Sequence, residues 1–111
     1  MHEWGLLTAE VAATVTPIRL LLRSAAATDP DMAALLEHTE GQRLKRMRHH
    51  AEFLAERGYL RPGVTLCEAT DILWACSSTE LYGLLVLQRK WPLPRFAQCI
   101  TDFMTTCLLP R

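Results

Sequence analysis

The sequence lacks the features of membrane-spanning, nucleic-acid-binding and secreted proteins. No apolar run approaches the roughly 20 residues that a membrane-spanning helix needs. Twelve basic residues are balanced by twelve acidic ones, so there is no basic surplus for binding nucleic acid through overall charge. The chain begins Met-His-Glu-Trp, with an acidic residue where a signal peptide carries positive charge. We therefore expect a cytoplasmic protein without a membrane partner.

The sequence also lacks the common motifs of metal sites and enzymes. The cysteines Cys67, Cys76, Cys99 and Cys107 form no Cys-x-x-Cys pair for zinc or redox chemistry. The histidines form no His-x-x-x-His pair, and there is no glycine-rich phosphate loop or Gly-x-Ser-x-Gly elbow. We predict free thiols that act as small core residues, with a ligand or redox role as the alternative. We expect no metal, no other cofactor and no enzymatic activity.

Residues that favour β-strands are scarce. Val and Ile together number seven, whereas Leu and Ala number 19 and 13, and the latter two favour helices. Half of the residues are apolar and 22% are charged, which is typical of a globular protein. A length of 111 residues fits one domain. We predict a single all-α domain over residues 1–111, a bundle of five to six helices.

The first predicted helix covers residues 3 to about 27. Its apolar residues recur every three or four positions and form one stripe: Trp4, Leu7, Val11, Val15, Ile18, Leu22 and Ala25. Pro17 lies inside this helix and cannot donate a backbone hydrogen bond. This predicts a kink or a restart near Thr16, with Thr14 or Thr16 as the cap.

The later helices are bounded by capping residues. Asp29 suits an N-cap and precedes a proline at the first helical position. Gly58 suits a helix stop because glycine readily adopts the left-handed conformation. Thr65 begins a capping box with Glu68, and Ser77 to Glu80 is a second possible box. These signals predict helices over about 30–57, 65–76, 78–89 and 94–108.

Two of these helices carry more apolar surface than one small core requires. Residues 81–87 read Leu-Tyr-Gly-Leu-Leu-Val-Leu, which is apolar around the whole helix, and the last helix has an apolar ridge. Either the other helices cover these surfaces or a second subunit does, and we predict a homodimer. The candidate interface residues are Leu81, Leu84, Leu85, Phe96, Ile100, Phe103 and Met104.

Three short motifs follow one another in the second half of the chain. They are Gly-Tyr-Leu-Arg-Pro-Gly at 58–63, Glu-Ala-Thr-Asp-Ile-Leu-Trp at 68–74, and Glu-Leu-Tyr at 80–82. Their order and spacing, together with Trp91 and an end that reads Leu-Leu-Pro, resemble the C-terminal domain of TetR-family transcription regulators. The resemblance covers residues 28–109 and is strongest over 57–91.

This resemblance implies a helical domain that binds a small effector and dimerises through its last two long helices in a four-helix bundle. In complete regulators of the family, an N-terminal helix-turn-helix binds operator DNA. Nothing in these 111 residues resembles that motif, so DNA contact is expected only through the missing part. Many relatives have Ser after the tryptophan where this chain has Pro92, so we expect the last helix to be capped differently.

An effector pocket in a helical bundle is mostly apolar with a few polar groups. The candidate ligand-binding residues are bulky residues near Pro17 on faces expected to point inward: Val15, Ile18, Leu22, Met47, Phe53 and Trp74. Plain core packing is the alternative for them. Arg43 falls close to the apolar stripe of its helix, where it either snorkels or faces a polar ligand or a carboxylate. Asp71 either pairs with an arginine across the core or orients an effector.

The basic cluster at residues 42–50 is either the solvated face of an amphipathic helix or a contact for nucleic acid or an anionic effector. We predict the effector-binding and dimerisation domain of a TetR-type regulator, without its DNA-binding part. The alternative is a stand-alone helical module that forms mixed dimers with full-length regulators.

Overall fold

The computed structural model describes the backbone of residues 2–110 and the side chains of residues 7–13 and 15–110. Within this part of the chain there are five α-helices and no strand. The helices are α1 (His2–Ala26), α2 (Pro30–Glu56), α3 (Leu66–Cys76), α4 (Thr79–Tyr82) and α5 (Leu93–Leu108). The predicted all-α architecture of five to six helices is confirmed. None of these helices is both long enough and apolar enough to cross a bilayer.

Local capping residues fix both ends of α2. The carboxylate of Asp29 accepts a hydrogen bond from the backbone N–H of Asp31 at 3.0 Å. At the other end, Gly58 has a φ of 72°, and the N–H of Tyr59 donates to the carbonyl of Leu54 at 2.9 Å. This is the hydrogen bond of a Schellman motif, which needs a left-handed residue at the position of Gly58. The predicted start and stop of this helix are confirmed.

The shorter helices also begin at hydroxyl caps. The hydroxyl of Thr65 accepts from the backbone N–H of Glu68 at 3.1 Å and starts α3. The hydroxyl of Ser78 accepts from the N–H of Leu81 at 3.4 Å and starts α4. The N-cap of α5 is Pro92, which makes no side-chain cap bond, so this helix does start differently from a serine-capped one.

A π-helical segment over Gly83–Gln88 continues directly from α4. The N–H of Arg89 donates to the carbonyl of Leu84, five residues earlier, at 3.1 Å. Lys90 then takes a left-handed conformation with a φ of 62°, which ends the element. The predicted extent of this helix, to about residue 89, is confirmed, but its later part is wider than an α-helix because each π-turn holds an extra residue.

Small residues, not bulky ones, pack α1 on the rest of the chain. Ala9 and Thr16 are fully buried, whereas Val11 and Ile18 are 51% and 65% exposed. The apolar stripe therefore lies largely on the solvent side, and the predicted inward orientation of Ile18 is wrong. Small side chains allow α1 to approach α5 and α2 closely, since the interaxial distance depends on the side chains at the contact.

Pro17 does not divide α1 into two helices. The helix is continuous over His2–Ala26, so of the two predicted outcomes near Thr16, a kink or a restart, the restart is wrong. The Thr16 hydroxyl caps no second start, because it has no hydrogen-bond partner among the described residues. Of the residues named with this helix, Trp4 and Thr14 lie outside the described side chains.

The core lies between α5 and the other helices, and α2 contributes Met47 and Ala51 to it. Its largest fully buried apolar side chains are Leu73, Phe96, Met104 and Leu108. The ring of Phe96 meets that of Tyr82 edge-on, with centroids 5.7 Å apart and planes at 89°. The described chain measures 46 × 30 × 18 Å, so the helices form a thin slab.

Candidate functional site

A cavity of about 200 Å³ lies between α1, α2 and the junction of α3 with α4, and we call it the α1–α2 cavity. Its apolar wall comes from α1 and consists of Val11, Ala12, Val15, Ile18 and Leu22. Polar side chains from all three regions complete the lining: Arg19, Thr39, Glu40, Arg43, Arg46, Ser77 and Thr79. The cavity therefore combines an apolar wall with a polar, charged one.

Glu40 connects two arginines at the polar wall. One carboxylate oxygen accepts a hydrogen bond from Nη1 of Arg19. The other lies 3.0 Å from Nη2 of Arg43, one helical turn further along α2. The side chains of Arg19, Glu40 and Arg43 are 13%, 25% and 14% exposed, so the three charges are largely removed from water. Charge-assisted hydrogen bonds in such a place are strong and hold both guanidinium groups in position.

Arg43 also joins α2 to the end of α3. Its Nη1 donates to the carbonyl of Trp74 and to the hydroxyl of Ser77, both at 2.6 Å. Its guanidinium carbon lies 4.9 Å from the centre of the Trp74 ring, within the range of a cation–π contact. Of the alternatives for Arg43, the structure shows the carboxylate, Glu40.

Glu80 extends this network at the start of α4. It accepts a hydrogen bond from Arg23 and lies 3.8 Å from Nη2 of Arg19. Burial raises the pKa of Glu80, but hydrogen bonds from the backbone and from Arg23, with both arginine charges, outweigh it and lower the pKa overall. Because the pKa of Glu80 is lowered in the folded state, its interactions with Arg23 and Arg19 stabilise the fold at neutral pH. This stabilisation is lost as acid protonates the carboxyl.

Three polar atoms near this network have no hydrogen-bond partner among the described residues and are shielded from solvent. They are Oγ1 of Thr16, Nε of Arg19 and Oγ1 of Thr79. Arg19 and Thr79 line the cavity, whereas Thr16 does not. A buried polar group without a partner costs about 1–3 kcal/mol. Two residues that line the cavity thus each carry a buried polar atom whose hydrogen bond is not made within the described chain.

We expect Thr16→Val to raise the free energy of unfolding by about 1 kcal/mol. Valine keeps the β-branched shape and removes a fully buried hydroxyl that has no partner. Urea unfolding followed by circular dichroism measures the change. Thr70→Val is the matched control, since the Thr70 hydroxyl donates to the Leu66 carbonyl at 2.8 Å and its removal brings no such gain. Equal effects of the two substitutions would contradict the prediction.

A second, more apolar depression of about 560 Å³ lies at the C-terminal end of α2, and we call it the C-terminal groove. Its lining is His50, Phe53, Leu54, Gly58, Tyr59, Leu73, Leu109 and Pro110. Phe53 and Tyr59 are about half exposed there, and the Arg57 guanidinium lies 4.5 Å from the Phe53 ring centre. Burial, then the neighbouring charges of His49 and Arg46, lower the pKa of His50.

The six predicted ligand-binding residues are divided among four places. Val15, Ile18 and Leu22 line the α1–α2 cavity. Phe53 lines the C-terminal groove, Met47 is 7% exposed and belongs to the core, and Trp74 stacks beside Arg43. Asp71 is exposed on α3, so it does not pair with an arginine across the core. A single pocket containing all six residues is therefore not formed.

The predicted interface residues are also divided. Phe96, Ile100 and Met104 are 1%, 3% and 0% exposed, so the chain's own helices cover them. Leu81 and Leu85 pack partly against the same core. Leu84 and Phe103 are 52% and 51% exposed. The ridge predicted to face a partner therefore lies mostly in the core, and Leu84 and Phe103 are the predicted residues that expose most surface to solvent.

The four cysteines are free thiols, as predicted. The prediction that they act as core residues is wrong for Cys67, which is exposed, whereas Cys99 and Cys107 are half-buried. Cys76 is buried in the core, and burial, with smaller effects of Cys107 and Cys99, raises the pKa of its thiol to about 12. A thiol with such a pKa is unreactive at neutral pH, because the thiolate is the nucleophile. In the described part of the chain, no three His, Cys, Asp or Glu side chains are grouped to hold a metal ion.

The cavity is lined by Arg19, Glu40 and Thr79, and none of them is among the ligand-binding residues predicted from the sequence. The signal for Glu40 was its position one turn before Arg43, since residues three apart face each other on a helix. Arg19 and Thr79 carry no comparable local signal, because their neighbours in the cavity come from other helices. Tertiary packing alone brings these two residues together.

Comparisons with known proteins give no match: no family model matches the chain, and neither the curated proteins nor the solved structures include a significant one. The functional proposals below therefore depend on the three sequence motifs and on the geometry of the described residues.

Proposed function

We propose that this chain is the effector-binding and dimerisation domain of a TetR-type transcription regulator. The observation that carries the proposal is the α1–α2 cavity, which is bordered by an apolar wall and by a largely buried charged network. The positions of the three motifs support it. Residues 58–63 form the turn after α2, residues 68–74 lie in α3, and residues 80–82 lie in α4.

The position of the cavity suits a switch that depends on a small molecule. A ligand there touches α1, α2 and the junction of α3 with α4 at once. It therefore favours whichever relative placement of these elements gives it better contacts. In a complete regulator, that preference is coupled to the geometry of the dimer and so to DNA binding through a separate helix-turn-helix.

The proposed dimer surface is an apolar patch on the last two helical elements. Leu84 and Leu87 on the π-helical segment are 52% and 39% exposed, and Phe103 on α5 is 51% exposed. A second subunit that covers these side chains removes them from water. This stabilises the dimer by about 25 cal/mol for each Å² of apolar surface buried. This patch continues from the core, since Leu81 and Leu85 pack against that core beside it.

The molar mass in solution tests the proposal. We expect light scattering after size exclusion to give twice 12.6 kDa. Leu84→Glu and Phe103→Glu should each raise the dimer dissociation constant at least about tenfold, because a charge would be placed in an apolar interface. Helical circular dichroism should be unchanged, since both side chains are about half exposed within one chain.

Leu35→Glu is the matched control. Leu35 is 45% exposed on α2, outside the proposed patch, so its substitution should leave the dimer intact. A wild-type chain that stays monomeric at all concentrations, or a dimer that survives both substitutions in the patch, would contradict the proposal. So would tight, sequence-specific binding of DNA by these 111 residues alone.

A further inference from the structure

We infer that the α1–α2 cavity binds a small carboxylate with an apolar body. The inference rests on the proposed effector-binding function and names the chemical class of the effector. The volume of about 200 Å³ lies below the roughly 300–1,000 Å³ of sites for drug-sized ligands, so the cavity suits a compact molecule. Benzoate and hexanoate are simple probes of this class.

The charges of the lining favour an anion. Three arginines and one glutamate line the cavity, which leaves a formal excess of positive charge. Glu40 is engaged by both Arg19 and Arg43, and Glu80, which does not line the cavity, lies 3.8 Å from Arg19. The two carboxylates neutralise part of this charge but not all of it. A net positive charge around a partly closed space attracts a ligand of the opposite sign.

Two donors at the wall identify where the carboxylate binds. Nε of Arg19 and the hydroxyl of Thr79 have no partner among the described residues, and Thr79 is 8% exposed. A carboxylate accepts hydrogen bonds from both and so satisfies two buried groups. Both atoms are shielded from solvent in this structure, so these hydrogen bonds form only if the two side chains turn toward the ligand. Arg43 is already occupied by Glu40, Trp74 and Ser77 and acts as a positioning residue.

The apolar wall explains why the ligand has a hydrocarbon body. Val11, Val15 and Ile18 line the cavity yet are 51%, 41% and 65% exposed, so the wall faces the cavity and solvent together. A ligand with an apolar body covers part of this surface when its carboxylate is held at the opposite wall. An inorganic anion of the same charge lacks that contribution.

Isothermal titration calorimetry with matched probes tests the inference. We expect benzoate and hexanoate to bind, and benzamide, hexanamide and inorganic phosphate to bind at least about tenfold more weakly. An amide that matches its carboxylate would overturn the assignment of charge. Phosphate that matches benzoate would overturn the apolar body and indicate an adventitious anion site.

Two isosteric substitutions locate the site. Thr79→Val should weaken benzoate binding about tenfold, because it removes a donor to a charged group. Thr16→Val is the control, since Thr16 is buried nearby on α1 but does not line the cavity. The affinity of this variant for benzoate should be unchanged. Circular dichroism shows whether each variant is folded. Unchanged affinity in a folded Thr79→Val variant would overturn the placement. Arg19→Lys, which keeps the charge and removes Nε, is a second variant with the same expected loss.

The outcomes separate this inference from the proposed function. A dimer that binds none of the carboxylates would overturn the inference and leave the dimerisation part of the proposal in place. A monomer that binds benzoate through Thr79 would overturn the proposed function and support the carboxylate site. The mass measurement and the titration therefore fail independently.

Discussion

Replacing Phe96 with alanine should lower the free energy of unfolding by about 3–5 kcal/mol. Phe96 is 1% exposed and its ring meets Tyr82 edge-on, so truncation removes buried apolar surface and an aromatic pair together. The rigid backbone of α5 cannot collapse fully into the space that the ring leaves. Urea unfolding monitored by circular dichroism measures the effect.

Phe103→Ala is the matched control, since it removes the same side chain from the same helix at a position that is 51% exposed. Within one chain its cost should be below about 1 kcal/mol, because surface substitutions rarely exceed this. In a dimer, Phe103→Ala should also increase dissociation, and the loss should depend on protein concentration. If both substitutions cost the same at every concentration, the assignment of Phe96 to the core and Phe103 to the surface is wrong.

Replacing Glu40 with glutamine should lower the free energy of unfolding by about 2–4 kcal/mol, since it removes one partner of a largely buried charged network. Glutamine keeps the shape but leaves Arg19 and Arg43 near each other without the charge that holds them. Thermal and urea unfolding at pH 7 measure the change.

The control for Glu40 is Glu52→Gln on the same helix. Glu52 forms an exposed i,i+4 pair with Arg48 at 3.2 Å, with side chains 42% and 55% exposed. Such pairs are worth about 0.3–0.5 kcal/mol and weaken with salt. Equal losses for the two glutamates, or a Glu40 loss that vanishes in high salt, would show that the Glu40 network is no stronger than a surface pair.

Helix ends could be predicted from the sequence because they depend on neighbouring residues. Asp29, Gly58 and Thr65 each fix a terminus through a bond that spans two to five positions. Which face of each helix is buried could be predicted less well. The bulky residues of α1 have helical periodicity, but Ala9 and Ala12 form the packed face, because α1 lies close to its neighbours. Periodicity identifies a helix and an apolar stripe, but not which small residues take the buried side.

The candidate site could be predicted only where one helix holds both partners. Glu40 and Arg43 are one turn apart, and of the alternatives predicted for Arg43 the structure shows the carboxylate. The contact of Arg19 with Glu40 spans 21 positions and no local pattern indicates it. The sequence shows how apolar the ridge of α5 is, but it does not show that α1 and α3 of the same chain cover most of it.

The 18 Å thickness of the molecule has a mechanical consequence. A helix with its side chains is about 10–12 Å across, so the slab holds no more than two helices in depth. Helices α1 and α5 pack directly on each other, so a displacement of α1 at the cavity acts on α5 without an intermediate helix. Close-packed side chains transmit strain because they compress little. In a domain no more than two helices thick, a displacement of α1 is therefore transmitted to α5.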